Sequence, residues 1–182
     1  MFTHKGTCNI KTPRLCLRQL TIADASDFFY QLVNDKQVLK YTAWPYHEDI
    51  AQTENMLSSW EKAYERPAFY NWGIEYKGKI IGNITVYRLY EDTAAAEIGY
   101  CFGSDYWNQG FATEAAKAVM DYLFHKIGAE KIIISFADKN PASGRVAEKC
   151  GMTYVQTLPR AFTTSENEVV DIIEYSKNRC VD

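Results

Sequence analysis

The amino-acid sequence predicts a mixed α/β (α+β) fold: a mostly antiparallel central sheet of about seven strands with one parallel pair, and helices on both faces. Two observations carry this. The segments at 95–102 and 131–136 both pattern as strands, and the stretch between them, 110–127, patterns as a helix. A helix joining two neighbouring strands implies a right-handed parallel crossover. The strands on either side are separated by short turns, which implies hairpins and antiparallel pairing.

In chain order, the first strand is 14–20, where apolar and polar residues alternate through Leu15, Leu17 and Leu20. Thr21 with Asp24 three residues on resembles a capping box. Phe28, Phe29, Leu32 and Val33 then recur at helical spacing. A second helix is expected over 50–64, through Met56, Leu57 and Trp60. Strands follow at 69–76 and 80–89, joined at Lys77-Gly78-Lys79 as a hairpin, and at 95–102. The helix over 110–127 places Ala115, Val119, Tyr122 and Leu123 on one face, and Gly128 is set to stop it. Ile132-Ile133-Ile134 suits a buried central strand over 131–136. A short helix at 141–150 ends at Gly151, and 152–161 and 169–175 complete the strands.

The chain of 182 residues suits a single domain over 1–182, and with almost half its residues apolar it can bury a large core. A net charge of -3 gives no reason to expect nucleic acid or an anionic membrane as partner. Five cysteines without a Cys-x-x-Cys pair, and three scattered histidines, suggest neither a disulfide framework nor a metal site. Reduced thiols in a cytoplasmic compartment are expected, with Cys101 and Cys150 as small core residues rather than nucleophiles. No apolar run has the length of a membrane span, and the first residues lack the pattern of a signal peptide.

The informative position is the handover from the strand at 95–102 to the helix that follows. Gly110 permits close approach of a ligand to the backbone, and the first amides of a helix have no internal acceptor. Together with the helix dipole they form a ready anion site, to which Thr113 can add a hydroxyl. Taken alone, such a junction is a common strand-to-helix turn. Neither a P-loop nor a dinucleotide-binding glycine fingerprint is present.

Three blocks give it a specific meaning: Glu97-Ile98-Gly99-Tyr100; Tyr106 to Ala115, with Trp107-Asn108-Gln109-Gly110-Phe111-Ala112-Thr113 at its centre; and Asn140-x-x-Ser143-x-Arg145-Val146-x-Glu148-Lys149-x-Gly151-Met152. With the opening Thr12-Pro13-Arg14-Leu15-Cys16-Leu17-Arg18, these resemble the GNAT acetyltransferases, most of all the branch that acetylates ribosomal-protein N-termini. The resemblance spans Thr12 to Tyr175 in the family's order and spacing. Trp107 stands where the family's coenzyme loop usually has Arg or Gln, but Gly110 and Ala112 are kept.

The resemblance implies acetyl-CoA as cosubstrate, no metal, and direct transfer of acetyl to a primary amine on a small molecule or a protein N-terminus, in a monomer or homodimer. It implies pyrophosphate on the amides of Gln109, Gly110, Phe111, Ala112 and Thr113, and pantetheine along the strand edge at Phe102, where that strand splays from its parallel neighbour. Asn140 is expected on the pantetheine arm and Arg145 on the 3′-phosphate; each also reads as an ordinary helix cap or a solvated arginine. Glu97 is the candidate base and Ser143 the candidate donor to the leaving thiolate, with a hydrogen bond in the sheet and a helix cap as their plain alternatives. The family's usual tyrosine acid is replaced by Ala147, and Tyr154 reads as core or pocket wall. Trp44, Tyr46, Tyr70 and Trp72 are candidates for the acceptor pocket, with ordinary packing as the commoner reading of aromatics at such positions. An acyl-CoA-binding module without catalysis is the alternative reading of the same motifs.

Overall fold

A computed structural model describes residues 1–180 of the chain. It contains one eight-stranded sheet in the order β1-β2-β3-β4-β5-β6-β8-β7. The strands are β1 (Ile10–Lys11), β2 (Cys16–Arg18), β3 (Asn71–Tyr76), β4 (Lys79–Tyr90), β5 (Ala95–Phe102), β6 (Lys131–Ala137), β7 (Thr153–Thr163) and β8 (Val169–Asn178). Among the described residues only β5 and β6 pair in parallel; every other neighbouring pair is antiparallel. The sequence's seven strands are all present. The eighth, β1, is two residues long, too short for an alternating pattern to reveal it.

The helices are α1 (Ala25–Phe28), α2 (Lys36–Leu39), α3 (Ile50–Ala63), α4 (Phe111–Lys126) and α5 (Pro141–Lys149). Around α1 the chain departs from a plain helix: a 3-10 turn, Ile22–Asp24, precedes it and a π-helical stretch, Phe29–Val33, follows. The wider π turn still buries Phe28, Phe29, Leu32 and Val33 on one side, which is what the spacing of these residues demanded. Helix α2 was not foreseen; Asp35 caps it by accepting the Gln37 N–H at 2.8 Å. Lys77 and Gly78, both at positive φ (50° and 79°), form the two-residue turn that fixes the β3–β4 register.

The sheet divides the interior in two. On one face α4 and α5 bury Phe111, Ala115, Val119 and Leu123 against Ile84, Ile98, Phe102 and Ile134. On the other, α1 to α3 bury Phe28, Leu32 and Leu57 against Leu20, Ile80 and Cys101. Strand β5 therefore serves both cores by alternation, with Ile98 and Phe102 turned to one and Cys101 to the other.

The second layer is tied to β2 by one ionic cluster. Arg18 donates from Nη1 and Nη2 to both Asp24 carboxylate oxygens at 2.8 Å, and from Nε to Glu75 at 2.7 Å. Burial raises the Asp24 carboxyl, but bonds from Arg18 and Thr21 outweigh it and hold the group below its usual range. A lowered folded value means the stabilisation is complete above the ordinary carboxylate range and is lost as pH falls through the folded value. Asp24→Asn is expected to lower stability by about 2 kcal/mol at neutral pH. The gap between the two proteins' urea midpoints should close below about pH 4. A gap that stays constant as pH is lowered to 2 would contradict this role.

Candidate functional site

The geometry of the site follows from an interruption in pairing. Strands β5 and β6 pair over four residues, from Ala95 with Lys131 to Ile98 with Ile134. Beyond that, Gly99–Phe102 remains bonded to β4 alone, and Ser135–Ala137 to β8 alone. A wedge opens through the sheet, with its apex beside Ile98 and Ile134. One of its walls is a strand edge whose amides and carbonyls have no partner strand.

The loop after β5 turns the chain into α4. The Trp107 indole N–H donates to the Phe102 carbonyl at 2.7 Å and closes the loop onto the strand end. The Gln109 side chain donates to the Asp105 carbonyl at 2.8 Å. Asn108 and Gly110 both take positive φ, 58° and 81°, and Gly110 is the residue that caps α4. Alternating left-handed positions of this kind gather successive N–H groups toward one point. The first intrahelical bond runs from the Glu114 N–H to the Gly110 carbonyl, so the amides of Phe111, Ala112 and Thr113 have no helical acceptor. Gly110 contributes no side-chain cap to compete for them.

Across the wedge, Asn140 caps α5. Its Oδ1 accepts the Ser143 N–H at 3.4 Å, its Nδ2 donates to Ser143 Oγ at 3.2 Å, and Pro141 occupies the first helical position. The capping reading of Asn140 and Ser143 is thus present in full. It leaves the Ser143 hydroxyl hydrogen free to donate elsewhere. Arg145, one turn below, is exposed. Tyr100 spans the opening, and its hydroxyl donates to the Ser143 carbonyl at 3.3 Å. Ala147 is wholly buried in the α4–α5 core.

Glu97 lies at the apex on the opposite face of the sheet. It is 5 % exposed, and its carboxylate accepts from Ser135 Oγ at 2.6 Å, Tyr87 OH at 3.1 Å and Tyr90 OH at 3.1 Å. Arg88 Nη1 stands 3.9 Å away. Tyr87 is 52 % exposed, but its hydroxyl is tucked against Glu97, and desolvation there, followed by the Glu97 charge, raises it well above its usual value, so it remains a donor. Tyr87 reaches Glu97 by lying across Gly99, where a Cβ would stand 2.6 Å from its ring. These partners were missed in the sequence because a bulge between Val86 and Arg88 resets the β4 register. Asn108 and Tyr100 were also missed: the first needs the loop's dihedral angles, and the second needs the wedge.

Two of the four acceptor-pocket candidates, Tyr70 and Trp72, take their packing reading, and Tyr154 is not a core residue. Tyr70 and Trp72 are fully buried and stacked 6.0 Å apart in the α4-side core, so they line no pocket. Trp44 packs on Phe28 and Trp60, which leaves Tyr46 as the exposed member of the four. Tyr154 is 57 % exposed on β7 and is not part of the core. Among the described residues no helix is long and apolar enough to cross a membrane, and no group of three His, Cys, Asp or Glu could hold a metal ion.

Residues 14–153 match the model of the acetyltransferase (GNAT) domain family. The chain belongs to the GNAT acetyltransferases. It is 34% identical over 145 residues to the uncharacterised N-acetyltransferase YoaA of Bacillus subtilis, covering 78% of this chain and 81% of that one. A GNAT-family acetyltransferase from Bacillus anthracis shares the fold with a TM-score of 0.80 at 25% identity, covering 94% and 98% of the two chains. RimL, the ribosomal L7/L12 alpha-N-protein acetyltransferase solved in complex with coenzyme A, superposes with a TM-score of 0.85 at 18% identity over 94% and 98%. This GNAT chain is an acetyl-CoA-dependent N-acetyltransferase.

Cys101 and Cys150 are both buried. Burial pushes the Cys101 thiol up to about 12, with the Asp35 charge adding to it, and burial also raises Cys150. Cys8 and Cys180 are exposed. At pH 8 a thiol reagent should label Cys8 and Cys180 in the native protein and leave Cys101 and Cys150 unmodified, as read by peptide mass spectrometry. Rapid labelling of Cys101 would contradict its burial.

Proposed function

We propose that this GNAT enzyme transfers acetyl from acetyl-CoA to a primary amine, either a protein N-terminal α-amine or the amine of a small molecule, by direct attack in a ternary complex. The observation that carries the reading is the wedge between β5 and β6, open at Gly99–Phe102. Coenzyme on the α4–α5 face has its pyrophosphate on the amides of Gln109 to Thr113, with Phe102 and the free edge beside its pantetheine arm. Asn140 serves that arm and Arg145 the 3′-phosphate. The acceptor amine approaches from the Glu97 face and meets the thioester in the opening.

Chemistry on an activated thioester is mostly positioning and electrostatics. An α-amine, with a pKa of ~8, sheds its proton easily at neutral pH; a lysine, at ~10.4, does not. Glu97, alone or through a water, receives that proton. Its three hydroxyl donors keep the carboxylate aimed at the apex. The Ser143 hydroxyl donates to the departing sulfur. RimL, whose fold this chain shares, acts on a protein α-amine, and this supports including N-terminal peptides among the acceptors.

The test is a thiol-release assay over a panel of amines, including peptides that differ in their first residue. Turnover with at least one of them is expected. Tight acetyl-CoA binding without turnover on any amine would favour a binding module instead. Glu97→Gln should lower kcat by about 100-fold with little change in the KM for acetyl-CoA. Gly110→Val, which cannot hold a φ of 81° without strain, should abolish coenzyme binding. Gly110→Asp is a poorer choice, because a side chain there begins 3.5 Å from the Arg14 guanidinium.

A further inference from the structure

The opening Thr12-Pro13-Arg14 motif lies far in sequence from the coenzyme loop, yet in the fold it ends there. Arg14 is anchored there at three points. Its Nε donates to Glu114 Oε2 at 2.7 Å, its backbone N–H donates to Glu114 Oε1 at 2.9 Å, and its Nη1 donates to the Gln109 carbonyl at 3.0 Å. The guanidinium carbon lies 4.3 Å from the centre of the Phe111 ring. Thr12 Oγ1 completes the shell on Glu114 at 2.6 Å.

Two consequences follow. First, Glu114 sits in the first turn of α4, and a carboxylate there stands close to the place where phosphate would bind. Burial raises its carboxyl, but bonds from Thr12 and Arg14 outweigh that and hold it below its usual range, so it is ionised at neutral pH. Arg14 neutralises it. Second, the guanidinium has a nitrogen left over. Nη2 donates to nothing among the described residues, and it stands 3.5 Å from the position a Cβ would occupy on Gly110. A planar fork with two nitrogens fixed to the protein and the third turned along the loop is suited to a phosphate oxygen.

We propose that Arg14 is part of the coenzyme site, holding the 108–113 loop in its anion-binding shape and donating from Nη2 to a phosphate of coenzyme A. This rests on the reading of that loop as the pyrophosphate site. Pyrophosphate and 3′-phosphate oxygens offer the same chemistry, and a ligand lacking the 3′-phosphate separates them.

The experiment is calorimetric titration of the full-length wild type, Arg14→Ala, Arg14→Lys and Gly110→Val with CoA and with dephospho-CoA, at several salt concentrations. Melting without ligand serves as the check on folding. Arg14→Ala should weaken CoA by about 10-fold and flatten the dependence of log Kd on log salt by about one charge. Arg14→Lys should restore the salt slope and part of the affinity. Equal losses with both ligands assign the contact to the pyrophosphate; a loss with CoA alone assigns it to the 3′-phosphate. CoA affinity within about 2-fold of wild type in Arg14→Ala would overturn the proposal. A loss with an unchanged salt slope, or one that Arg14→Lys does not relieve, would make Arg14 a structural residue only and would overturn it too. If Gly110→Val also binds CoA normally, the fault lies with the loop reading itself.

Discussion

Two parallel strands stop pairing after four residues, and the site depends on that interruption. Had β5 and β6 paired to their ends, the amides between Gly99 and Phe102 that face away from β4 would be satisfied within the sheet. The two faces would then be sealed from one another. The splay leaves a strand edge for a ligand to complete. The helix crossover that parallel pairing requires delivers the N-terminus of α4 to the same end of the strand. One topological feature thus sets a peptide-like edge beside an anion-binding turn, an arrangement suited to a ligand with both amides and phosphates.

The surroundings keep the wedge open. Trp107 pins the loop to the Phe102 carbonyl, and Tyr100 reaches across to Ser143 and fixes the separation of β5 from α5. Asn140 holds the first turn of α5 on the far side. On the opposite face, Tyr87, Tyr90 and Ser135 bind Glu97 at the apex. A buried carboxylate without such donors would be expensive to keep charged. The polar cage therefore serves the sheet and the site together, which is why the hydrogen-bonding and catalytic readings of Glu97 are compatible. The same holds for Asn140 and Ser143, whose capping bonds leave chemistry in reserve.

Much of this was legible in the sequence, for reasons that can be named. The strand alternation around Leu15 and Leu17, the helix face of Ala115, Val119 and Leu123, and the stops at Gly128 and Gly151 are local signals, and local signals survive without coordinates. The turn at Gly110 was legible because its motif is contiguous. What escaped depended on register or on contacts distant in sequence. The Val86–Arg88 bulge decides that Tyr87 meets Glu97, and no propensity encodes its position. Tyr70 and Trp72, just before and within β3, resembled pocket aromatics because composition does not say which face of the sheet they take; both turn into the core. Arg14 stood in a recognised motif, but its partners are about a hundred residues away.

The claim on which the rest stands is that the free amides at the start of α4 receive coenzyme phosphate. Backbone amide NMR of the uniformly labelled protein, with and without CoA, tests it most directly. The account predicts that the amide protons of Gly110, Phe111, Ala112 and Thr113 shift and exchange more slowly with solvent when CoA is bound, while those at the far end of α4, near Lys126, do not. Saturating CoA that leaves the 110–113 amides unmoved would contradict it.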